Sequence, residues 1–217
     1  NTLQIAAERE RLCRTDILVI GGGAIDAGLE AEIRQLPGKV YSTYGMTETL
    51  SHIALIRLNG PDASTLYYPF PSVRLSLSPE HTLIIDAPLV CDTILVTNDV
   101  AEINSDGSFS ILGRKDNTIN TGGIKVQAEQ VEDILRPWIH VPFAITSVSD
   151  AALGEAIVLL IENGGYTERL EEKMKELLTK YQLPKMVFSV GTIPLTETGK
   201  INRAGCRQLA ATYQVGR

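Results

Sequence analysis

Three short polar segments carry the side chains that could do chemistry. Residues 194–203 read PLTETGKINR and place Lys200 directly after a glycine in a turn-rich stretch. A lysine in that position can reach into a site formed by another part of the protein. The other two segments are residues 41–49, YSTYGMTET, and residues 113–123, GRKDNTINTGG.

The segment at residues 41–49 offers groups suited to a nucleotide. It follows a predicted strand, so its side chains project from the carboxyl edge of a sheet, where ligands bind in open α/β folds. Tyr44 presents a flat apolar face for a purine, and Thr47 a hydroxyl for a phosphate. Glu48 supplies a hard oxygen ligand for Mg²⁺, which travels with nucleotide phosphates. Taken alone, the segment equally fits an ordinary polar loop with a packed tyrosine.

A glycine loop at residues 21–23 lies between a predicted strand and a predicted helix. A dinucleotide-binding fingerprint requires glycine or alanine where this chain has Asp26, and that acid would repel a pyrophosphate. The Gly-Lys pair that ends at Lys200 is no Walker motif either, because Ile201 replaces the required serine or threonine. The plain interpretation of the glycine loop is a tight turn.

The three segments together, in this order, resemble the adenylate-forming family of acyl-CoA synthetases, peptide-synthetase adenylation domains and luciferases. The resemblance extends over nearly the whole chain. It implies a small carboxylic acid as substrate, with ATP, Mg²⁺ and coenzyme A as cofactors and partners. In such a reaction the carboxylate attacks the α-phosphorus of ATP, and a thiol then attacks the acyl-AMP while AMP leaves.

The resemblance also implies roles for residues in the first half of the chain. The backbone of Gly22 and Gly23 would lie along the adenine ring, where bare backbone can approach closely. Tyr44 would stack on the adenine, Thr47 would contact the α-phosphate and Glu48 would hold Mg²⁺. These roles turn the nucleotide interpretation of residues 41–49 into the favoured one.

Further family positions match Asp99, Arg114, Ser51 and His52. Asp99 would accept hydrogen bonds from both ribose hydroxyls, since a carboxylate has two acceptor oxygens; Asn98 stands before it where the family usually has glycine. Arg114 would contact the ribose or a phosphate, and Ser51 and His52 would border the acyl pocket. A solvated turn aspartate and a surface ion pair remain the alternatives for Asp99 and Arg114.

The family's second half implies a hinge. Asp116 matches the acidic residue about which a small domain turns between two poses. In one pose Lys200 enters the active site and stabilises the charge of the adenylation transition state. In the other, Gly122 and Gly123 line a tunnel for the pantetheine thiol. A surface hairpin turn is the alternative for the segment that holds these two glycines.

Composition narrows the classes of function. The 217 residues carry a formal net charge of −6 with the charges mixed along the chain, which argues against nucleic acid as a partner. No apolar run approaches the roughly 20 residues of a membrane span, and the start lacks a signal-peptide pattern. Cys13, Cys91 and Cys206 are far apart and odd in number, which predicts reduced thiols and a cytoplasmic location. The oligomeric state is not determined by these features.

We predict an α/β and α+β fold. Residues 1–60 form the end of a strand–helix–strand sheet domain and residues 69–113 a small antiparallel barrel. Together, residues 1–115 make the C-terminal part of a large nucleotide-binding domain, and residues 116–217 form a separate small α+β lid domain. The predicted helices are the stretch after Asp26, 128–138 and 167–181. The predicted strands are 16–20, 40–43, 73–77, 82–85, 93–97, 101–104, 109–112, 143–148, 156–161 and 186–190.

Within the family, the barrel, residues 44–49 and residues 113–117 look most like those of o-succinylbenzoate–CoA ligases of menaquinone synthesis. A fatty or aryl acid CoA ligase and a carrier-loading adenylation domain are the alternatives in the family. A non-catalytic nucleotide-binding module is the alternative of another class. The family's Ser/Thr/Gly-rich phosphate loop has no match in this sequence. We therefore expect the chain to be the C-terminal part of a longer enzyme and to be inactive alone.

Overall fold

A computed structural model of the chain describes residues 6–21 and 27–215. It divides into two compact units, Asn1–Ile111 and Leu112–Arg217, each with its own apolar clusters. The structure is a mixture of α-helices and several β-sheets, as predicted. The functional assignment of 1–115 and 116–217 to a large domain and a lid stays a prediction. No helix of the described residues is long and apolar enough to cross a bilayer.

The first unit begins with a mixed four-stranded sheet in the order β1-β2-β3-β4. β1 pairs with β2 in parallel, as predicted, and the other two pairings are antiparallel. Leu18 and Ile20 of the first strand pack with Ile33, Leu36 and Val40. The elements are α1 (Ala6–Cys13), β1 (Ile17–Ile20), α2 (Ala27–Ile33), β2 (Lys39–Gly45), β3 (His52–Arg57) and β4 (Tyr68–Pro69).

The apolar run of the first strand predicts a buried strand, and this prediction is wrong. Its apolar run suggested burial on both faces, yet the alternate side chains Ile17 and Val19 are 60% and 46% exposed. The strand ends the sheet order, and only its Leu18 and Ile20 face packs into the apolar cluster. The sequence therefore predicted the position of the strand correctly, but it did not predict that the face with Ile17 and Val19 is exposed.

A second four-stranded sheet of the first unit follows chain order. It comprises β5 (Arg74–Leu77), β6 (Thr82–Asp86), β7 (Leu95–Ile103) and β8 (Phe109–Arg114), of which residues 112–114 fall in the second unit. The two strands predicted at 93–97 and 101–104 are one continuous strand. Val100 pairs with Thr82 and Val96 with Ile84, so the polar residues 97–99 form a bulge on β7 within the continuous strand.

The second unit is built around one mixed five-stranded sheet. Its order is β10-β9-β12-β11, and β13 pairs in parallel with the central β12. The elements are β9 (Thr118–Thr121), β10 (Ile124–Gln127), α3 (Ala128–Leu135), β11 (Phe143–Asp150), β12 (Gly154–Glu162), α4 (Glu168–Leu177), β13 (Met186–Val190) and α5 (Arg203–Val215).

The central strand β12 has helices on both faces. Its side chains alternate between two cores, because successive residues of a strand point to opposite sides. Ile157, Leu159 and Ile161 pack with residues of α3 and α4. Val158 and Leu160 pack with residues of α5. This arrangement explains why the strand is a continuous apolar run rather than an alternating one.

The ends of the predicted helices need correction. The helix predicted at 128–138 ends at Leu135, because Pro137 lacks the N–H that would continue the ladder. Thr167 caps the next helix by accepting from the Leu170 N–H, but that helix ends at Leu177. Leu177, which the spacing from Leu170 and Met174 predicts on the apolar face, is 37% exposed, while Leu178 turns inward in extended conformation.

Asn59, just beyond β3, binds the segment that joins α2 to β2. The side chain is buried. Its Oδ1 accepts from the Val40 N–H at 3.0 Å, and its Nδ2 donates to the carbonyl oxygens of Leu36 and Gly38, each at 2.9 Å. One amide thus satisfies three backbone groups in the segment that leads into β2.

We predict that Asn59→Ala destabilises the chain by roughly 1–3 kcal/mol, because it leaves buried backbone groups without partners. Asn59→Asp is the matched variant, since it keeps the acceptor for Val40 but loses the two donors. Urea denaturation at neutral pH should show both variants below wild type, with Asp no more stable than Ala, because its buried carboxylate would face the Leu36 and Gly38 carbonyl oxygens. Equal stability of the wild type and Asn59→Ala would contradict this role of the amide.

Candidate functional site

The structure brings two of the predicted nucleotide-binding residues of the first unit into direct contact. Tyr44 lies near the end of β2 and Asp99 within β7. The Tyr44 hydroxyl donates to Asp99 Oδ2 at 2.5 Å. The tyrosine ring packs against Tyr67 and Phe109, with ring centroids 5.7 and 5.5 Å away. Packing therefore fixes the phenol, and the phenol in turn orients the carboxylate.

The surroundings keep the Tyr44 hydroxyl protonated. Burial raises the pKa of Tyr44 well above its usual value of 10.0, and the adjacent Asp99 carboxylate raises it further. The phenol therefore remains a hydrogen-bond donor over the whole physiological range. One oxygen of Asp99 is engaged by this bond, and the backbone N–H of Asp99 is held by Thr97 Oγ1 at 3.1 Å.

The loop after β2 is held by a buried threonine that the sequence did not single out. Thr49 Oγ1 accepts from the Met46 N–H at 3.1 Å and lies 2.6 Å from the Ser51 carbonyl oxygen. Gly45 allows the chain to close on itself, because a Cβ there would lie 2.5 Å from that same carbonyl oxygen. The side chains of the loop are thus presented by a tight, internally bonded turn.

Thr47 and Glu48, predicted to contact phosphate and Mg²⁺, lie in this turn, a short 3₁₀ helix spanning Thr47–Thr49. Both side chains are exposed. The described residues contain no cluster of three or more metal-binding side chains. A single exposed carboxylate nevertheless fits Mg²⁺, which takes one or two protein carboxylates together with phosphate oxygens.

Ser51 and His52, predicted to border an acyl pocket, are exposed at the start of β3. Ser51 Oγ lies 3.2 Å from His52 Nδ1, and the histidine ring packs near Phe70 with centroids 5.9 Å apart. Their role in an acyl pocket stays a prediction. Gly22, Gly23 and Asp26 lie outside the described residues.

In the second unit, Arg114 and Asp116 lie side by side at a turn. Arg114 NH2 is 3.7 Å from Asp116 Oδ2, and both side chains are mostly exposed. Asp116 occupies the middle of a 3₁₀ turn, Lys115–Asn117, which follows β8. Arg114 therefore forms the surface ion pair that the sequence left as an alternative. The contact of Arg114 with a nucleotide and the hinge role of Asp116 stay predictions.

Gly122 and Gly123 form the tip of the hairpin between β9 and β10. Both have positive φ angles, +59° and +82°, which suit a two-residue hairpin turn and favour glycine. The Gly122 N–H donates to the Leu153 carbonyl oxygen at 2.8 Å. The hairpin turn that the sequence left as an alternative is present, and a role in a thiol tunnel stays a prediction.

Lys200 lies on a second small hairpin. An antiparallel bridge joins Leu195 and Ile201. The Thr196 N–H donates to the Lys200 carbonyl oxygen at 2.7 Å, and the Lys200 N–H donates to Thr196 Oγ1 at 3.1 Å. The turn is completed by Gly199 with φ of +78°. The lysine side chain is exposed on this hydrogen-bonded turn, which suits delivery of an ammonium group to a bound anion.

Arg203, which ends this segment, has a partner that its sequence context did not predict. Arg203 forms a two-pronged ion pair with Glu132 of α3, at 2.6 and 2.8 Å. Burial raises the pKa of Glu132, and the bonds and charge of Arg203 act to lower it. A signal was present, because Glu132 occupies a helix position that otherwise belongs to the apolar stripe of Ala128, Val131 and Leu135.

Comparisons with known proteins indicate the class of protein to which this chain is similar. No family model matches the chain. The 2-succinylbenzoate–CoA ligase of Lactococcus lactis is 26% identical over 204 residues, covering 86% of this chain and 45% of the ligase. An acyl-CoA synthetase (AMP-forming)/AMP-acid ligase II-like protein from Dyadobacter fermentans superposes with a TM-score of 0.55 and 32% identity, over 97% of this chain and 62% of that one.

The fold has a second close match. The o-succinylbenzoate coenzyme A synthetase of Bacillus subtilis, solved with ATP and magnesium ion, superposes with a TM-score of 0.70 at 20% identity, over 92% of this chain and 49% of that one. The chain's homologues are thus adenylate-forming enzymes: 2-succinylbenzoate–CoA ligases, adenylation domains and AMP-forming acyl-CoA synthetases. It aligns with their C-terminal part and spans about half the length of the 2-succinylbenzoate–CoA ligases that it matches.

We predict an alkaline loss of stability that depends on Tyr44. A group with a raised folded-state pKa contributes stability that is present below its unfolded pKa and lost as pH rises through the folded pKa. For this phenol the loss begins near its ordinary pKa of 10.0. Urea denaturation from about pH 8 to about pH 11 should show a steeper fall for wild type than for Tyr44→Phe. Identical slopes would contradict the protonated Tyr44–Asp99 bond.

Proposed function

We propose that this chain is the C-terminal part of an ATP-dependent acid–CoA ligase that forms an acyl-AMP and then an acyl-CoA. The Tyr44–Asp99 contact carries the proposal, because it joins two nucleotide-binding candidates that lie 55 residues apart in the chain. The homologues support it, since they are AMP-forming ligases and adenylation domains.

The first unit would bind the nucleotide. Tyr44 offers its ring to the adenine, and the Asp99 carboxylate accepts from the ribose hydroxyls. Thr47 contacts the α-phosphate. Glu48 would hold Mg²⁺, which neutralises phosphate charge when bound.

The second unit would deliver the catalytic cation. The carboxylate of the acid and the phosphates of ATP are both anionic, so charge accumulates as the carboxylate attacks the α-phosphorus. Lys200 stabilises that charge electrostatically and transfers no proton. For the second step, the turn at Gly122 and Gly123 replaces it beside the nucleotide, after rotation about Asp116, and admits the thiol of coenzyme A.

We further propose that the acid is o-succinylbenzoate, which would place the enzyme in menaquinone synthesis. Four 2-succinylbenzoate–CoA ligases are 25–26% identical over 86–92% of the chain. Another aryl acid is the second candidate, because aryl-acid–AMP ligases are 32% identical over about half of the chain. A carrier-loading adenylation domain is the third, supported by the match to a nonribosomal peptide synthetase.

Two observations support placing this chain in a longer cytoplasmic enzyme. The exposed apolar side chains Ile17 and Val19 on β1 fit a strand that further protein would cover. Cys13, Cys91 and Cys206 are unpaired thiols, which suit a reducing compartment. On this proposal the 217-residue chain alone should show no turnover with ATP, Mg²⁺, coenzyme A and an acid.

The function is tested by ATP–pyrophosphate exchange in the full-length protein over a panel of acids. We expect exchange with o-succinylbenzoate but not with fatty acids, followed by acyl-CoA formation when coenzyme A is added. Exchange with a different aryl acid would move the substrate assignment to the second candidate. The absence of exchange with every acid would favour a non-catalytic nucleotide-binding module.

We predict that Lys200→Ala lowers the rate of acyl-AMP formation by about 10²–10³-fold, the usual loss on removing one electrostatic stabiliser. The matched control is Lys180→Ala, an exposed lysine of the same unit that lies outside the Lys200 hairpin, which should keep the wild-type rate. The exchange assay at saturating ATP measures both. An unchanged rate for Lys200→Ala would overturn the role of this lysine.

A further inference from the structure

A single buried carboxylate stands out in the second unit. Glu132 is 2% exposed, and among the residues that the structure describes it is the only acidic or basic residue classed as buried. Desolvating a carboxylate is unfavourable unless cationic and hydrogen-bonding partners compensate it. The partners of Glu132 therefore identify the parts of the unit that this carboxylate holds in place.

Arg203 is the cationic partner, and the pair is anchored on three elements. The two terminal nitrogens of Arg203 lie 2.6 and 2.8 Å from the two oxygens of Glu132. This two-pronged geometry fixes the relative orientation of the two side chains. The same guanidinium donates to the Ile145 carbonyl oxygen at 3.2 Å, and the Ile145 N–H donates back to Glu132 at 2.8 Å. Arg203 at the start of α5 is therefore fixed to α3 and β11.

The Lys200 hairpin is continuous with this anchor. The Asn202 N–H donates to the Pro194 carbonyl oxygen at 2.9 Å and closes the hairpin. The Asn202 side chain accepts from the Gly205 N–H at 3.0 Å and caps α5. Lys200 is thus three residues from Arg203, with hydrogen-bonded backbone between them. Fixing the position of Arg203 therefore also fixes the orientation of the hairpin that carries Lys200.

A second carboxylate extends the anchor toward the hinge turn. Glu129 Oε1 lies 3.4 Å from Arg203 NH2. The same oxygen accepts a hydrogen bond from the side chain of Asn117, which closes the turn that contains Asp116. One guanidinium thus joins the Lys200 hairpin both to the core and, through Glu129, to the proposed hinge.

We propose that Arg203 is a positioning residue for Lys200: its ion pairs with Glu132 and Glu129 fix the angle at which the hairpin presents the lysine to the acyl-adenylate-forming site. The inference rests on the proposed function. It predicts that Arg203 matters for the step that uses Lys200 and not for the step that uses the glycine hairpin.

The test uses the full-length protein and two half-reactions. The main variant combines Arg203→Met with Glu132→Gln, because the amide keeps the acceptor for the Ile145 N–H and leaves no charge at the Glu132 position. Glu129, whose side chain is 25% exposed, keeps its hydrogen bond from Asn117. Arg203→Lys retains the charge without the two-pronged geometry. Arg207→Ala, an exposed arginine on the same helix, is the matched control, and Lys200→Ala gives the effect of removing the lysine itself.

We expect the double variant to lower kcat for acyl-AMP formation roughly 10- to 100-fold, the order of loss from a small misplacement of a catalytic group. KM for ATP should stay within about twofold, because the nucleotide-binding candidates Tyr44 and Asp99 belong to the first unit. Conversion of supplied acyl-AMP to acyl-CoA should keep its rate. Arg203→Lys should recover part of the lost kcat, and Arg207→Ala should match wild type.

Three outcomes would overturn the inference. An unchanged kcat in the double variant would show that the ion pair does not position the lysine. An equal fall of both half-reactions, with a lowered melting temperature, would show that the pair only holds the unit together. If Lys200→Ala itself forms acyl-AMP at the wild-type rate, the proposed role of Lys200 fails, and the role of Arg203 fails with it.

Discussion

A carboxylate buried in a small unit must keep a cationic partner, and in the second unit that requirement decides where the Lys200 segment lies. Glu132 is held inside by its neighbours on α3, so Arg203 has to reach it. That contact fixes the start of α5, and the hairpin before α5 is then placed by its own hydrogen bonds. An exposed lysine is thereby given a defined direction by a charge pair in the interior.

In the first unit, too, packed groups orient the proposed functional side chains, but here these groups are neutral hydrogen-bond donors. The Tyr44 hydroxyl, kept protonated by burial, holds Asp99 by one oxygen. Thr49 and Gly45 close the following loop so tightly that Thr47 and Glu48 are presented on its surface. In both units the side chains proposed to meet the substrate are exposed or partly exposed, while the groups that orient them are packed.

Prediction from the sequence succeeded where burial patterns are strong. The strands β11, β12 and β13 were placed correctly, since their apolar runs lie in a sheet covered on both faces. Helix α5 was missed, because its buried face consists of small residues such as Cys206 and Ala210, which give little contrast with the polar residues around them. The polar residues 97–99 predict a break between strands, but they form a bulge within the continuous strand β7.

The sequence by itself determined the order and spacing of the functional segments, and with them the resemblance to adenylate-forming enzymes and the choice of Tyr44, Asp99 and Lys200. It could not determine which groups these side chains meet. The contacts Tyr44–Asp99 and Glu132–Arg203 join residues 55 and 71 positions apart. Such pairings depend on how sheets and helices pack, because spacing along the chain fixes only neighbours within one element.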